Sequence, residues 1–217
     1  MTCPWIRNKH LAGLALGLAS LIPIPQAEVK ILLNAFAVSA ANSVAPLTIR
    51  SFVLAEGEVN VFFASPLEIS GGSLPYVFNI IKGSLPPGLN LDNNGMISGT
   101  PSQAKNTSFI VRVTDQVGTS VSKKLEIKIL KALEVTTRRL KSGKVGKKYS
   151  DLLKAAGGEK PFIWSLVIGS LPKGLGYGSS TGEITGVPKA PGSFNLTFQV
   201  TDPLGGTSRK DFVLVID

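Results

Sequence analysis

The chain has 217 residues, 43% of them hydrophobic and 17% charged, with a formal net charge of +9. That length holds one large or two small domains, and Gly and Pro clustered at turns favour many short strands over long helices. The single Cys and single His, Cys3 and His10, both lie near the N-terminus; if that leader is removed, no disulfide, thiolate, imidazole base or usual zinc set remains, which excludes Ser-His-Asp and Cys-His catalysis.

Met1 to His10 carries Arg7 and Lys9 without an acid, and Leu11 to Ile24 is largely apolar. A basic stretch before an apolar run of this length reads as a secretory signal peptide and is short for a membrane span. Residues 1–45 are therefore expected to be a signal peptide and short leader, cleaved between Ala27 and Ala45; an uncleaved anchor is the alternative. The mature chain is expected to have no membrane span and to be secreted, periplasmic or displayed at the cell surface.

From Leu47 onward apolar residues recur with period two. Leu47-Thr48-Ile49 predicts an opening strand, and Val59 to Phe63 a second after the turn at Gly57. Tyr76, Phe78 and Ile80 face one way along the next strand. Phe109, Val111 and Val113 alternate with Ile110 and Arg112, which should face outward, and Leu125, Ile127 and Ile129 close the unit.

Every one of these features then returns. Leu133-Glu134-Val135, Val145 to Tyr149, Phe162/Trp164/Leu166, Leu196/Phe198/Val200 and Phe212/Leu214/Ile216 follow in the same order. The turn motifs repeat with them. Gly71-Gly72-Ser73-Leu74-Pro75-Tyr76 matches Gly157-Gly158-Glu159-Lys160-Pro161-Phe162, and Gly83-Ser84-Leu85-Pro86-Pro87-Gly88-Leu89 matches Gly169-Ser170-Leu171-Pro172-Lys173-Gly174-Leu175. Ile97-Ser98-Gly99-Thr100-Pro101 and Val113-Thr114-Asp115 match Ile184-Thr185-Gly186-Val187-Pro188 and Val200-Thr201-Asp202. The one-residue slip between copies falls in a polar turn, Asp92 to Gly95 against Gly178 to Gly182. The chain is thus read as a tandem repeat, with domains at 46–131 and 132–217 and a linker of about Lys131-Ala132, short enough that the units should stack end to end. Strands this short, with turn signals every eight to twelve residues, predict all-β sandwiches.

Taken in order, these motifs resemble the bacterial putative immunoglobulin-like domain, a family related to the cadherin-like domains of dystroglycan. The resemblance covers both units, from about Leu47 to Asp217. It implies two tandem immunoglobulin/cadherin-like β-sandwiches, of a kind found as repeated modules in secreted or surface proteins, and it implies no reaction. The second unit departs from the pattern at Lys173, at Val187 and in the longer Gly176 to Gly182 loop.

Several residues invite a functional reading. Asp115 and Asp202 end strands ahead of Gly118 and Gly205, where a carboxylate can bond backbone N–H groups and hold a hairpin. Calcium is the rival, because relatives of this fold use acids at domain junctions; yet calcium wants six to eight oxygens, and the acids here scatter singly. Trp164 suggests a sugar platform, but it stands in register with Phe78 on an inward frame, as Tyr149 does with Phe63 and Tyr177 with Leu91, so core packing is expected. Phe62 must point away from Phe63 and is the candidate exposed apolar contact.

Charge is uneven. Residues 132–217 hold twelve Lys/Arg against seven Asp/Glu, and 46–131 eight against six. Arg138, Arg139, Lys141, Lys144, Lys147 and Lys148 concentrate the excess. No aromatics interleave with them to stack bases, so nucleic acid is not expected. Two readings remain for the cluster: an exposed strand and turn whose lysines block edge pairing, or a contact with an anionic surface. The partner-contact candidates are Phe62, Arg138, Arg139, Lys144, Lys147 and Lys148.

These readings predict no enzyme, no catalytic or metal residues and no cofactor, with calcium the one ion left open. They predict a non-catalytic module that spaces, adheres or binds an unknown surface macromolecule or polysaccharide. The alternatives are a calcium-dependent cadherin-like adhesion module and accessory domains of a secreted polysaccharide-active system.

Overall fold

The computed structural model describes residues 45–217, so the signal-peptide and leader expectation, with Cys3 and His10, lies outside the described residues. Within them the chain forms strands and turns. The first unit runs β1 (Thr48–Ile49), β2 (Gly57–Glu58), β3 (Phe63–Pro66), β4 (Ile69–Ser70), β5 (Val77–Gly83), β6 (Leu89–Leu91), β7 (Met96–Gly99), β8 (Asn106–Thr114) and β9 (Ser120–Leu130). The second runs β10 (Glu134–Val135), β11 (Tyr149–Leu152), β12 (Ala155–Ala156), β13 (Ile163–Ile168), β14 (Leu175–Tyr177), β15 (Glu183–Gly186), β16 (Gly192–Thr201) and β17 (Thr207–Ile216). Among the described residues no helix is long and apolar enough to cross a membrane.

The sheets repeat as the sequence does. In the first unit the order β2-β9-β8-β5 makes one sheet, β3-β7-β6 another, and β1 pairs with β4 at the side. The second unit has β13-β16-β17, β11-β15-β14 and the pair β10-β12. Both copies shift register at the same place, between Ile80 and Lys82 and between Leu166 and Ile168.

Alternation explains the packing. Phe109, Val111 and Val113 on β8 and Leu125, Ile127 and Ile129 on β9 turn inward, where they meet Phe63, Leu89 and Ile97 from the other sheet. Leu196, Phe198, Val200, Phe212, Leu214 and Ile216 do the same against Tyr149, Trp164 and Ile184. Burying a large apolar side chain contributes about 1.5–3 kcal/mol, so each unit has a core of its own. Trp164 is only 4% exposed and is a core residue. Tyr177 is not fully inside: its ring meets Phe198 edge-on at 5.4 Å, while its hydroxyl accepts the Leu166 N–H at the surface.

Two pairs of glycines serve the repeat. At Gly57 and Gly143 a Cβ would press on Ile129 and Phe63, or on Ile216 and Tyr149, so only glycine lets these strands approach. Gly88 and Gly174 sit at φ of +95° and +96°, following Pro87 and Lys173, and turn the chain into β6 and β14. The Leu-Pro-x-Gly-Leu motif is structural in both copies.

Two expected strands are corrected. Val59 to Phe62 is a turn in which Asn60 has φ +67° and Val61 N–H bonds the Glu58 carbonyl at 3.2 Å, so pairing begins only at Phe63. Likewise Gly146 has φ +74° and Lys147 N–H bonds the Lys144 carbonyl, and pairing begins at Tyr149. The basic segment 138–148 is therefore a loop with a single bridge, Gly143 to Ile216, not an edge strand with lysines along it.

Candidate functional site

The two repeated aspartates hold their hairpins. Asp115 Oδ1 accepts N–H bonds from Val117 and Thr119 at 3.1 and 2.8 Å, and Oδ2 accepts one from Ser73 at 3.1 Å. Asp202 Oδ1 accepts from Leu204 and Gly206, and Oδ2 from Glu159. Each carboxylate thus ties the β8–β9 or β16–β17 turn to the glycine loop ahead of β5 or β13. Three charge-assisted bonds to backbone account for the Asp at this position in both copies.

One acid is not solitary, although the acids scatter singly along the sequence. Glu58, on β2 of the first unit, is 2% exposed and reaches the second unit. Its Oε1 accepts the Leu133 N–H at 2.6 Å, and Gly206 lies so close that any side chain there would collide with the carboxyl group. Its Oε2 is buried and, among the described residues, has no hydrogen-bond partner. Burial pushes the Glu58 carboxyl up to about 7, helped by the neighbouring Asp202, while the Leu133 N–H opposes the shift. The signal for this contact was present: Glu58 stands where the second copy has Lys144, directly after the shared glycine.

The basic loop is exposed yet anchored. Lys141 N–H donates to Asp151 Oδ2 at 2.8 Å, and its Nζ lies 3.6 Å from Oδ1 of the same group. Tyr149 Oη donates to the Lys141 carbonyl at 3.0 Å, and burial, reinforced by Asp151, pushes the phenol well above its ordinary range, so it stays a donor. Lys154 N–H donates to Thr137 Oγ1 at 2.6 Å, closing the other side. Arg138, Arg139, Lys144, Lys147 and Lys148 all face solvent, and among the described residues none of the five has an acid within salt-bridge distance. Beside the loop lies a shallow cleft of about 640 Å³ bordered by Thr137, Lys141, Ser150, Asp151, Lys154 and Glu183. A second, about 710 Å³, shares Lys154 and continues past Lys160, Phe162, Ser180 and Thr181.

Phe62 is 70% exposed, just ahead of β3 and outside any strand. It does not join the basic loop. Its neighbour Val61 lies over Gly205 in the turn that leads into β17, whereas Gly143 pairs with Ile216 at the far end of that strand. Ten residues of β17 separate them, about 30 Å of extended chain.

The family model described as Putative Ig domain matches residues 44–130 and again 135–217. No curated protein matches the chain. Among solved structures, a putative α-galactosidase from Bacteroides fragilis is 26% identical over 40% of this chain, with a TM-score of 0.36. The titin I-band fragment I67–I69 is 11% identical over 80% of the chain, with a TM-score of 0.48, and the extracellular domain of protocadherin GammaB4 is 14% identical over 81%, at 0.35. The chain spans 18% of the length of the galactosidase, 66% of the titin fragment and 35% of the protocadherin.

Proposed function

The chain belongs to the Putative Ig domain family, of which it carries two tandem copies, and from that premise we propose that it is a non-catalytic module, secreted or displayed at the cell surface, that binds another macromolecule. The contact is the basic loop of the second unit, and the partner is an anionic polymer such as an acidic polysaccharide. One observation carries this reading: five exposed cations, without an acid partner among the described residues, stand on a loop fixed by Tyr149, Asp151 and Thr137. A loop already held loses less conformational entropy on binding than a free one. Cations on such a loop attract a polyanion from a distance, and salt weakens the attraction. The adjoining clefts offer hydroxyl and ammonium groups from Thr137, Ser150, Lys154, Lys160 and Thr181, which suit a polyhydroxylated chain.

The test is binding of the full chain to a sulfated polysaccharide and to neutral dextran across a salt series. Reversing Arg138, Arg139, Lys147 and Lys148 to glutamate should weaken the sulfated partner by at least about tenfold and flatten its salt dependence, because steering charge is what has been removed. Equal binding of both polymers, or an unchanged affinity in the variant, would show that the loop is only a solvated surface.

A further inference from the structure

We infer that Glu58 and Asp202 form a proton-operated joint between the two sandwiches, closed when Glu58 is protonated and loosened when it ionises. The geometry is that of a carboxyl group carried by one unit and enclosed by the other. Glu58 leaves β2 beside Leu130, the last residue of β9, and bonds the backbone of Leu133 across the linker. Its second oxygen is enclosed and, among the described residues, unpartnered; it lies against Gly206, whose N–H is held by Asp202 Oδ1 at 2.8 Å. Two carboxylates cannot donate to one another. A proton on Glu58 supplies the missing donor and turns a repulsive pair into a hydrogen bond.

The repeat shows that the sandwich itself does not require this acid. Lys144 takes the equivalent place in the second unit, after Gly143, and is exposed. What Glu58 has and Lys144 lacks is enclosure: Glu58 is buried and bonds Leu133 of the second unit, whereas Lys144 faces solvent. The joint is also insulated from other charges. Lys131 and Glu134, on either side of the linker, face solvent; Glu56 on the Glu58 side is paired with Lys128 at 2.9 Å; Glu159 meets Asp202 through its backbone N–H. No cation among them is placed to neutralise the pair.

The direction with pH follows from the proton. Glu58 is held near 7, above its usual 4.5, so the folded chain binds this proton more tightly than the unfolded chain does. The stabilisation is full at pH below the ordinary carboxyl range and is lost as pH rises through that range to about 7. The module is stiffest in acid and gains freedom at its waist above neutrality.

Nuclear magnetic resonance on the full chain tests this directly. The Glu58 side-chain carbon should titrate at about 7, and 15N relaxation should give both units one common tumbling time at about pH 5.5 and separate, shorter times at about pH 8.5. Glu58→Gln, whose amide donates to Asp202 at every pH, should keep the common time throughout. An ordinary carboxyl midpoint, a wild-type joint indifferent to pH, or a Gln variant that still loosens on the alkaline side would each overturn the proposal. So would a return to common tumbling on adding calcium at alkaline pH, because a cation and not a proton would then be closing the pair.

Discussion

Glu58 and Lys144 occupy the same step of the same fold, and their fates are opposite. Each follows a glycine that only fits without a side chain, and each starts a turn in which the residue three places on bonds its carbonyl. Glu58 is buried against the second unit; Lys144 faces solvent. The contrast separates two kinds of constraint. What both copies share serves the sandwich: the inward apolar rows, the glycines, and the aspartate that holds each hairpin. What differs between them answers to surroundings, a neighbouring domain for Glu58 and open solvent for the basic loop.

The largest test of that division is in the shared cores. Phe198 is fully buried and packs edge-on against Tyr177 and Phe212 at 5.4 and 6.3 Å. Phe198→Ala should destabilise the second unit by about 3–5 kcal/mol, through lost transfer energy and the cavity left behind. Its equivalent, Val111→Ala, removes far less volume and should cost the first unit roughly half as much or less. Differential scanning calorimetry of the full chain reads both. If the two units are independently cored, each variant lowers one component of the melting profile; a single transition that falls intact in both would mean that the junction merges them.

These core rows were readable because alternation is local. Phe109, Val111 and Val113 show their inward face in five residues, and the second copy confirms the frame at Leu196, Phe198 and Val200. The aspartates were half legible. A hairpin role follows from Asp before Gly, but the third bond, to Ser73 or Glu159, spans more than forty residues and depends on how the sheets close. The strands expected at Val59–Phe63 and Val145–Tyr149 start late because Asn60 and Gly146 adopt left-handed φ, which apolar alternation cannot reveal. Glu58 was least legible. A lone acid beside a turn is an ordinary surface residue until a second domain is set against it. The charge reversal at the matching position, Lys144, was the one trace of that contact in the sequence.

An intermediate effect is expected at the aspartates. Asp115→Ala leaves the Ser73, Val117 and Thr119 N–H groups without their acceptor and should cost about 2–3 kcal/mol, the range for losing charge-assisted bonds at a partly buried site. Asp202→Ala removes the same three kinds of bond, but it also removes the carboxylate facing Glu58. In acid that is a further loss, since the protonated Glu58 loses its acceptor; above neutrality it is a relief. The difference in stability between the two variants, followed by urea unfolding from acid to alkaline pH, should therefore narrow or reverse as pH rises. A difference that stays constant would mean that Asp202 acts only on its own hairpin.

The smallest effect should come from making the second copy more like the first. Lys144→Glu places a carboxyl at the position equivalent to Glu58, after the same glycine and in the same turn, but at a position that faces solvent. Stability should change by no more than about 0.5 kcal/mol, as for other exposed substitutions. The new carboxyl should titrate in the ordinary range, since neither burial nor a facing aspartate acts on it. Carbon-detected titration of the variant would show Glu58 near 7 and the new glutamate near 4.5 in one sample. If both instead titrate high, the turn itself raises the acid, and the buried charge of the first copy owes nothing to the junction. If they divide as expected, enclosure by the second unit is what makes Glu58 unusual, and the same residue at the exposed position of the second copy is merely solvated.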